Sequence, residues 1–280
     1  MTADAIPEGK YIVPALAQGL AVLALFSRER PTLTAPEIAQ TLGLSRTTVF
    51  RLLHTLQTMG YVVRADEERR FKLGPALLGR GFSYLASLDI VEVAQPVLEQ
   101  LRDATGMSAH MAVRDGRDVV YVARYAARTT VASSVHIGTR FPVHATVMGR
   151  MTICDFSDTE LASLYPEEIL PRFSEQTPPT RAQLRAVLDQ DRARGYAVSQ
   201  SFFERGVTSV AAPVRDGSGR IVAAINVTSV DSVIDPEVLN GRIKDLVLAA
   251  SAEITRWSTQ GSAGRPQIWD VPPQVRMAGE

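Results

Sequence analysis

Ala39, Gly43 and Val49 constrain this chain more than any other residues, through their spacing. Two helices that cross closely at a wide angle need a small side chain where they meet, and Ala39 supplies one. Four residues on, the chain must turn sharply, and Gly43 can take a positive φ without steric cost. Ten residues after Ala39, Val49 is placed to lock the second helix onto the first, with Ile38, Leu42, Leu44 and Leu52 filling the remaining core positions. The flanking signals agree. Thr34 followed by Glu37 forms a capping box at the start of the first of these helices, and Ser45 opens the second. Val49, Leu52, Leu53 and Leu56 recur at i, i+3, i+4 and i+7 before Gly60 stops the run.

Burying that stripe leaves Arg46, Thr47, Thr48, Phe50, Arg51 and His54 on the opposite face. Hydroxyls and arginines at a helix N-terminus suit phosphate oxygens and base edges in a major groove. Tyr61–Arg64 and Arg69–Leu73 flank an acidic turn at Asp66-Glu67-Glu68 and read as a β-hairpin. Its Arg64, Arg69, Arg70 and Lys72 would lie along a DNA backbone as a wing. The candidate DNA contacts are therefore Thr34, Ser45, Arg46, Thr47, Thr48, Phe50, Arg51, His54, Arg64, Arg69, Arg70 and Lys72. The competing reading is a small helical bundle with a solvated face. A helix over Pro14–Ser27, with Leu16, Leu20, Leu23, Leu25 and Phe26 as a buried stripe, precedes this region.

The whole chain carries 30 basic and 30 acidic side chains. Net charge is thus silent about nucleic acid, and only the local clustering on helix and hairpin speaks for it. At 280 residues there is room for two cores. Cys154 is the one cysteine, so no internal disulfide forms and a reducing compartment is expected. No basic and apolar leader is visible and no apolar run is long enough to span a bilayer, so a cytoplasmic protein is expected. The expected organisation is a flexible leader over 1–9, a winged helix-turn-helix domain over 10–74, a linker helix over 75–87 and a larger domain over 88–258. A Gly-, Ser- and Pro-containing tail over 259–280 is expected to be disordered.

In the larger domain, Ser108–Val113 and Asp118–Arg124 alternate around Asp115-Gly116-Arg117, and Val207–Val214 and Ile221–Val230 around Asp216-Gly217-Ser218-Gly219. Helices are expected near Ala145–Phe156, over Thr180–Arg194 behind a Thr180/Gln183 capping box, and as one long helix over Pro236–Trp257. Antiparallel strands flanked by helices make the fold class α+β. There is no GxSxG elbow, no glycine-rich phosphate loop and no His or Cys pair at metal-ligand spacing, so no catalytic residue, cofactor or metal is expected. His54, His110, His136 and His144 are dispersed. His144 is open to a structural hydrogen bond or to catalysis, His110 is expected to be packed or half-exposed on its strand, and Cys154 inert core.

Several segments resemble the IclR family of bacterial regulators. They are Tyr11–Phe26 (YIVPALAQGLAVLALF), Ile38–Gly60 (IAQTLGLSRTTVFRLLHTLQTMG), Phe71–Gly74 with Leu77-Leu78, Gly138–Arg150 (GTRFPVHATVMGR), and Arg194–Ala197 followed by Gly206 and Ala211–Val214. They run in order along nearly the whole chain. The first of them, with GTRFP and MGR, is similar to the PcaR/PobR-like branch, which regulates catabolism of aromatic acids such as protocatechuate and 4-hydroxybenzoate. The resemblance implies a GAF-like effector-binding domain and a small-molecule effector, an aromatic or related carboxylic acid. Carried over residue by residue, its pocket comprises Thr130, Ser133, Val147, Met148, Ser199, Ser209, Asn226 and Thr228. Asn226 and Thr228 alternate on one strand and share a face, although ordinary strand residues would do the same. Backbone N–H groups of Val147–Gly149 are candidates to hold a carboxylate. Some family members have an acidic residue where Ser199 stands, and serine suits a larger, less polar or anionic ligand. Arg140 is open as counter-ion or as brace. A homo-oligomer, dimer or tetramer, on a pseudo-palindromic double-stranded operator is expected. The rivals are a regulator sensing a non-aromatic organic acid, an enzyme with an unrecognised site, and an adaptor that uses the winged helix as a docking surface.

Overall fold

A computed structural model describes residues 10–65, 69–128, 135–200, 206–230 and 234–260. The chain divides between Ser87 and Leu88 into two compact units.

The first unit opens with α1 (Pro14–Ala24), started by Pro14. The helix ends at Ala24, three residues before the expected Ser27, and its buried side is only in part the leucine stripe. Leu16 and Leu20 are 63% and 59% exposed, whereas Gly19, Val22 and Phe26 face the core. The reason is geometric: the sides of α2 (Ala35–Leu42) and α3 (Arg46–Thr58) that receive α1 are reached from the Gly19/Val22/Phe26 side. Of the expected stripe, Phe26 is buried and Leu23 and Leu25 pack against the core, while Leu16 and Leu20 stay exposed among the described residues. α2 has the full capping box. The Thr34 hydroxyl accepts from the Glu37 N–H at 3.4 Å, while the Glu37 carboxylate accepts from the Thr34 N–H at 2.6 Å and from its hydroxyl at 2.8 Å. Gly43 closes α2 at φ +65°, which a side chain would oppose. Ile38, Ala39, Val49 and Leu53 are buried between the helices, as the spacing predicts. β1 (Leu33–Thr34), β2 (Val62–Arg64) and β3 (Arg70–Leu73) form a three-stranded sheet in the order β1-β3-β2. The β2–β3 pairing gives the expected ribbon. Its third strand was not anticipated. α4 (Ala76–Ala86) ends the unit.

The second unit is a six-stranded antiparallel sheet with helices on both faces. Its helices are α5 (Asp89–Thr105), α6 (Val147–Ile153), α7 (Asp158–Leu164), α8 (Arg181–Arg194), α9 (Pro236–Val238) and α10 (Lys244–Gln260). Its strands are β4 (Ser108–Asp115), β5 (Asp118–Tyr125), β6 (Arg140–Pro142), β7 (Ala197–Gln200), β8 (Val207–Arg215) and β9 (Ile221–Val230), in the order β6-β5-β4-β9-β8-β7. The α+β class is thus the observed one. The expected Pro236–Trp257 helix is continuous and contains a π-helical turn at Leu239–Ile243, where Gly241 lies, between α9 and α10. At α8 the Thr180 hydroxyl accepts from the Gln183 N–H, but the reciprocal bond of a capping box is not formed.

Strand alternation sends side chains to two faces. One packs on α5 and α10, the other on α6. On the α6 side, Ala112, Ala197, Ala211 and Ala224 floor the core formed with Val143, Val147, Met148 and Met151. These small floor residues let the helix approach the sheet closely. A still tighter contact lies at Gly149. A Cβ there would fall 2.2 Å from the Val143 carbonyl oxygen, so only glycine fits.

Candidate nucleic-acid interface and effector site

On α3, Val49 and Leu53 face inward, while Arg46, Thr47, Phe50, Arg51 and His54 are exposed. Positions 46, 47, 50, 51 and 54 fall on one side of a 3.6-residue helix. Ser45 caps the helix, accepting from the Thr48 N–H at 3.1 Å, and the two hydroxyls lie 2.9 Å apart. Phe50, 68% exposed, stacks on His54 with centroids 6.4 Å apart. An aromatic ring held this way on an outward face is suited to a thymine methyl group or a base step.

The ribbon stands beside this face. A groove of about 710 Å³ is lined by Phe50, Leu53, His54 and Gln57 of α3, by Arg64, Arg69 and Phe71 of the ribbon region, and by Thr34, Ala35 and Pro36 at the start of α2. Arg64 lies over the Phe71 ring at 5.6 Å, which holds its guanidinium at the groove edge. Arg70 and Lys72, two residues apart, share the face opposite Phe71. Two candidates are committed elsewhere. The Thr34 hydroxyl is taken up by the capping box, and Arg70 is half-buried and donates to the Thr32 hydroxyl at 3.1 Å.

In the second unit the structure brings together Ser199, Ser209, Asn226 and Thr228 on the sheet face beneath Val147 and Met148. Ser199 is opposite Ser209, and Ser209 is opposite Thr228. The Asn226 amide N–H₂ donates to the Ser209 and Thr228 hydroxyls, each at 2.9 Å. Ser209 donates to the Val227 carbonyl at 3.0 Å. Thr130 and Ser133 lie outside the described residues.

Sequence reasoning missed two members of this face. Ser108, opposite Thr228, accepts from the Ala127 N–H at 3.0 Å. His110, opposite Asn226, is fully buried, the packed of the two expected alternatives, and its Nδ1 is 3.0 Å from the Asn226 side-chain oxygen. Burial lowers its pKa to about 4, against the opposing effect of the Asn226 bond. The available signal was two polar residues at i and i+2 in the otherwise apolar first six residues of the strand, Ser108–Val113. Their significance depends on β9, more than a hundred residues away.

Other expectations resolve structurally. Arg140 braces the end of the β4–β5 hairpin, bonding Asp115 at 2.8 Å and Asp118 at 3.2 Å. His144 makes a structural bond from Nε2 to the Pro171 carbonyl at 2.9 Å. Cys154 is buried and its thiol pKa is pushed up to about 12 by burial. The Gly149 N–H is taken by the Thr146 hydroxyl at 3.1 Å, so this member of the Val147–Gly149 set is committed to the helix cap. Among the described residues no cluster of three His, Cys, Asp or Glu could hold a metal ion, and no helix is long and apolar enough to cross a membrane.

A buried helix crossing that frees one basic, aromatic-bearing face beside a charged ribbon is the DNA-binding half of a transcription regulator of the winged helix-turn-helix class. The chain belongs to the IclR family: residues 15–66 match the IclR helix-turn-helix domain, and residues 82–256 match the bacterial transcriptional regulator IclR C-terminal domain. It is similar to the HTH-type transcriptional regulator XynR of Escherichia coli (strain K12), with 33% identity over 232 residues, 82% of this chain and 92% of that protein. The Pca regulon regulatory protein of Pseudomonas putida is 32% identical over 240 residues, 85% of this chain and 82% of that one. The crystal structure of an IclR transcriptional regulator from Alicyclobacillus acidocaldarius, 27% identical, matches with a TM-score of 0.78 over 89% of this chain and 100% of its own. These are transcription regulators rather than enzymes, and the same holds for this chain.

Proposed function

We propose that the chain is a ligand-responsive regulator of aromatic acid catabolic genes, sensing an aromatic or related carboxylic acid in its second unit. The observation that carries the reading is the polar cluster of Ser209, Asn226 and Thr228 set into an apolar face beneath Val147 and Met148. A small-molecule site needs this combination of apolar walls with a few fixed polar groups. Likeness to the Pca regulon regulatory protein supports the aromatic class. The matching likeness to XynR favours a second reading, in which the same site takes a different organic acid.

In this account Ser45, Arg46, Thr47, Phe50, Arg51 and His54 enter the major groove, and Arg64, Arg69 and Lys72 follow the backbone. The protein acts as a homo-oligomer, dimer or tetramer, on a pseudo-palindromic operator. The exposed Leu16 and Leu20 of α1 and Leu78 and Phe82 of α4 supply apolar surface for that assembly. The chain passes from α4 into α5 across Ser87 and Leu88, and the effector biases operator binding only through different affinities for two states of the oligomer.

Titration of the full-length protein with protocatechuate, 4-hydroxybenzoate and non-aromatic acids tests the reading. An aromatic effector at 100 times its Kd stabilises the second unit by about 2.7 kcal/mol and changes operator affinity. A thermal shift produced only by non-aromatic acids refutes the aromatic class.

A further inference from the structure

The hydrogen bonds that join Ser209, Asn226, Thr228 and His110 fix which of these groups donate. Ser209 has one hydroxyl proton, and it goes to the Val227 carbonyl. The atom of Asn226 that meets Ser209 must therefore be the donor, the amide N–H₂. Its second proton goes to Thr228, and Thr228 in turn donates across 3.1 Å to Ser209. The Asn226 oxygen is left facing His110, so His110 Nδ1 carries the proton of that 3.0 Å bond. A neutral imidazole with Nδ1 protonated has a bare lone pair on Nε2. That atom is buried and has no hydrogen-bond partner among the described residues. Burial also keeps the ring neutral, with a pKa of about 4.

Buried acceptors in native proteins are almost always satisfied, and an exception calls for a reason. We infer that His110 is a specificity-determining residue of the effector site, with Nε2 accepting a hydrogen bond from a hydroxyl or N–H group of the ligand. The inference rests on reading this sheet face as the effector site, and it deepens that reading. The donors of Ser209, Asn226 and Thr228 that the structure assigns are consumed within the cluster, and His110 Nε2 adds an acceptor. A carboxylate, which only accepts, finds no free donor on Ser209, Asn226, Thr228 or His110 Nε2. The ligand group that meets His110 is thus not its carboxylate but a donor such as a phenolic or alcoholic hydroxyl.

Two measurements on the full-length protein test this. The ¹⁵N imidazole spectrum of the ligand-free protein at pH 7.5 should show His110 as the neutral Nδ1–H tautomer. An Nε2–H or doubly protonated ring overturns the inference whatever the ligand proves to be. Calorimetric titration with 4-hydroxybenzoate and benzoate should then show at least a tenfold preference for the hydroxylated acid, equal to 1.4 kcal/mol. His110→Phe should lower 4-hydroxybenzoate affinity about fivefold more than benzoate affinity, reducing that preference to about twofold. His110→Gln, whose side-chain oxygen restores an acceptor, should recover part of it and guards against misfolding of the Phe variant. A purely structural role would weaken both acids alike, and equal loss for the two, or an intact preference in His110→Phe, overturns the proposal. If neither acid binds, the aromatic reading fails and the imidazole spectrum alone decides the role of His110.

Discussion

Arg150 on α6 and Asp191 on α8 form an ion pair that is 2% and 4% exposed, with Nε and the carboxylate oxygen 2.7 Å apart. At that separation and an effective dielectric constant near 20, the gross attraction is about 6 kcal/mol. Each ion alone costs several kcal/mol to bury, so the intact pair adds little net stability. Breaking it is a different matter. Asp191→Leu removes the carboxylate that bonds a buried guanidinium and should destabilise the second unit by about 3–5 kcal/mol. Replacing both partners, as in Arg150→Met with Asp191→Leu, should return most of that loss, because neither charge is then desolvated without compensation. Urea unfolding followed through tryptophan fluorescence, to which Trp257 on α10 contributes, measures the cycle. A single substitution costing less than about 1 kcal/mol, or a double variant as unstable as the single, refutes the reasoning. The pair matters for the site because α6 carries Val147 and Met148 over the polar face.

Gly149→Ala should lower the stability of the same unit by about 3 kcal/mol, since the new Cβ meets the Val143 backbone at 2.2 Å and neither partner can yield. Gly19→Ala in α1, where the nearest atom is the Leu52 Cδ2 at 3.9 Å, should instead gain up to about 1 kcal/mol; thermal melts of both variants compare a closed site with an open one. His110 provides a pH signature. Its folded pKa of about 4 lies below the unfolded value of 6.5, so the unfolded chain binds the proton first. Stability is full above pH 6.5 and falls by about 3 kcal/mol towards pH 4. Denaturation of wild type and His110→Phe across that range checks it, and the variant should lack this part of the slope.

What the sequence revealed and what it concealed follow from the range of the interactions. The α2–α3 pair was legible because its determinants are local: Ala39, Gly43 and Val49 act within a dozen residues, and Thr34 and Ser45 cap their own helices. The face of α1 was legible only in part: Leu23, Leu25 and Phe26 pack on the core as their periodicity suggests. Periodicity identifies an apolar stripe and not its partner, and Leu16 and Leu20 are largely exposed among the described residues. The π-helical turn at Leu239–Ile243 lies within a run whose apolar periodicity continues through it. β6 and β7, of three and four residues, are too short to show alternation and exist by pairing with β5 and β8. The partnership of His110 with Asn226 depends on strand order β4-β9, a non-local fact that no window around either residue contains. Ser209, Asn226 and Thr228 were named through family likeness, while their mutual hydrogen bonds emerged only from the folded register.

The central claim is that the outward face of α3 reads bases while the ribbon grips the backbone. Fluorescence anisotropy over a salt series, using an operator selected from a random DNA pool and a scrambled control, tests it directly. Arg51→Ala should cost about 1–3 kcal/mol on the operator and leave binding to the control unchanged, whereas Lys72→Ala should weaken both equally and flatten the salt slope by about 1. Wild-type affinity and salt dependence in both variants would contradict the account.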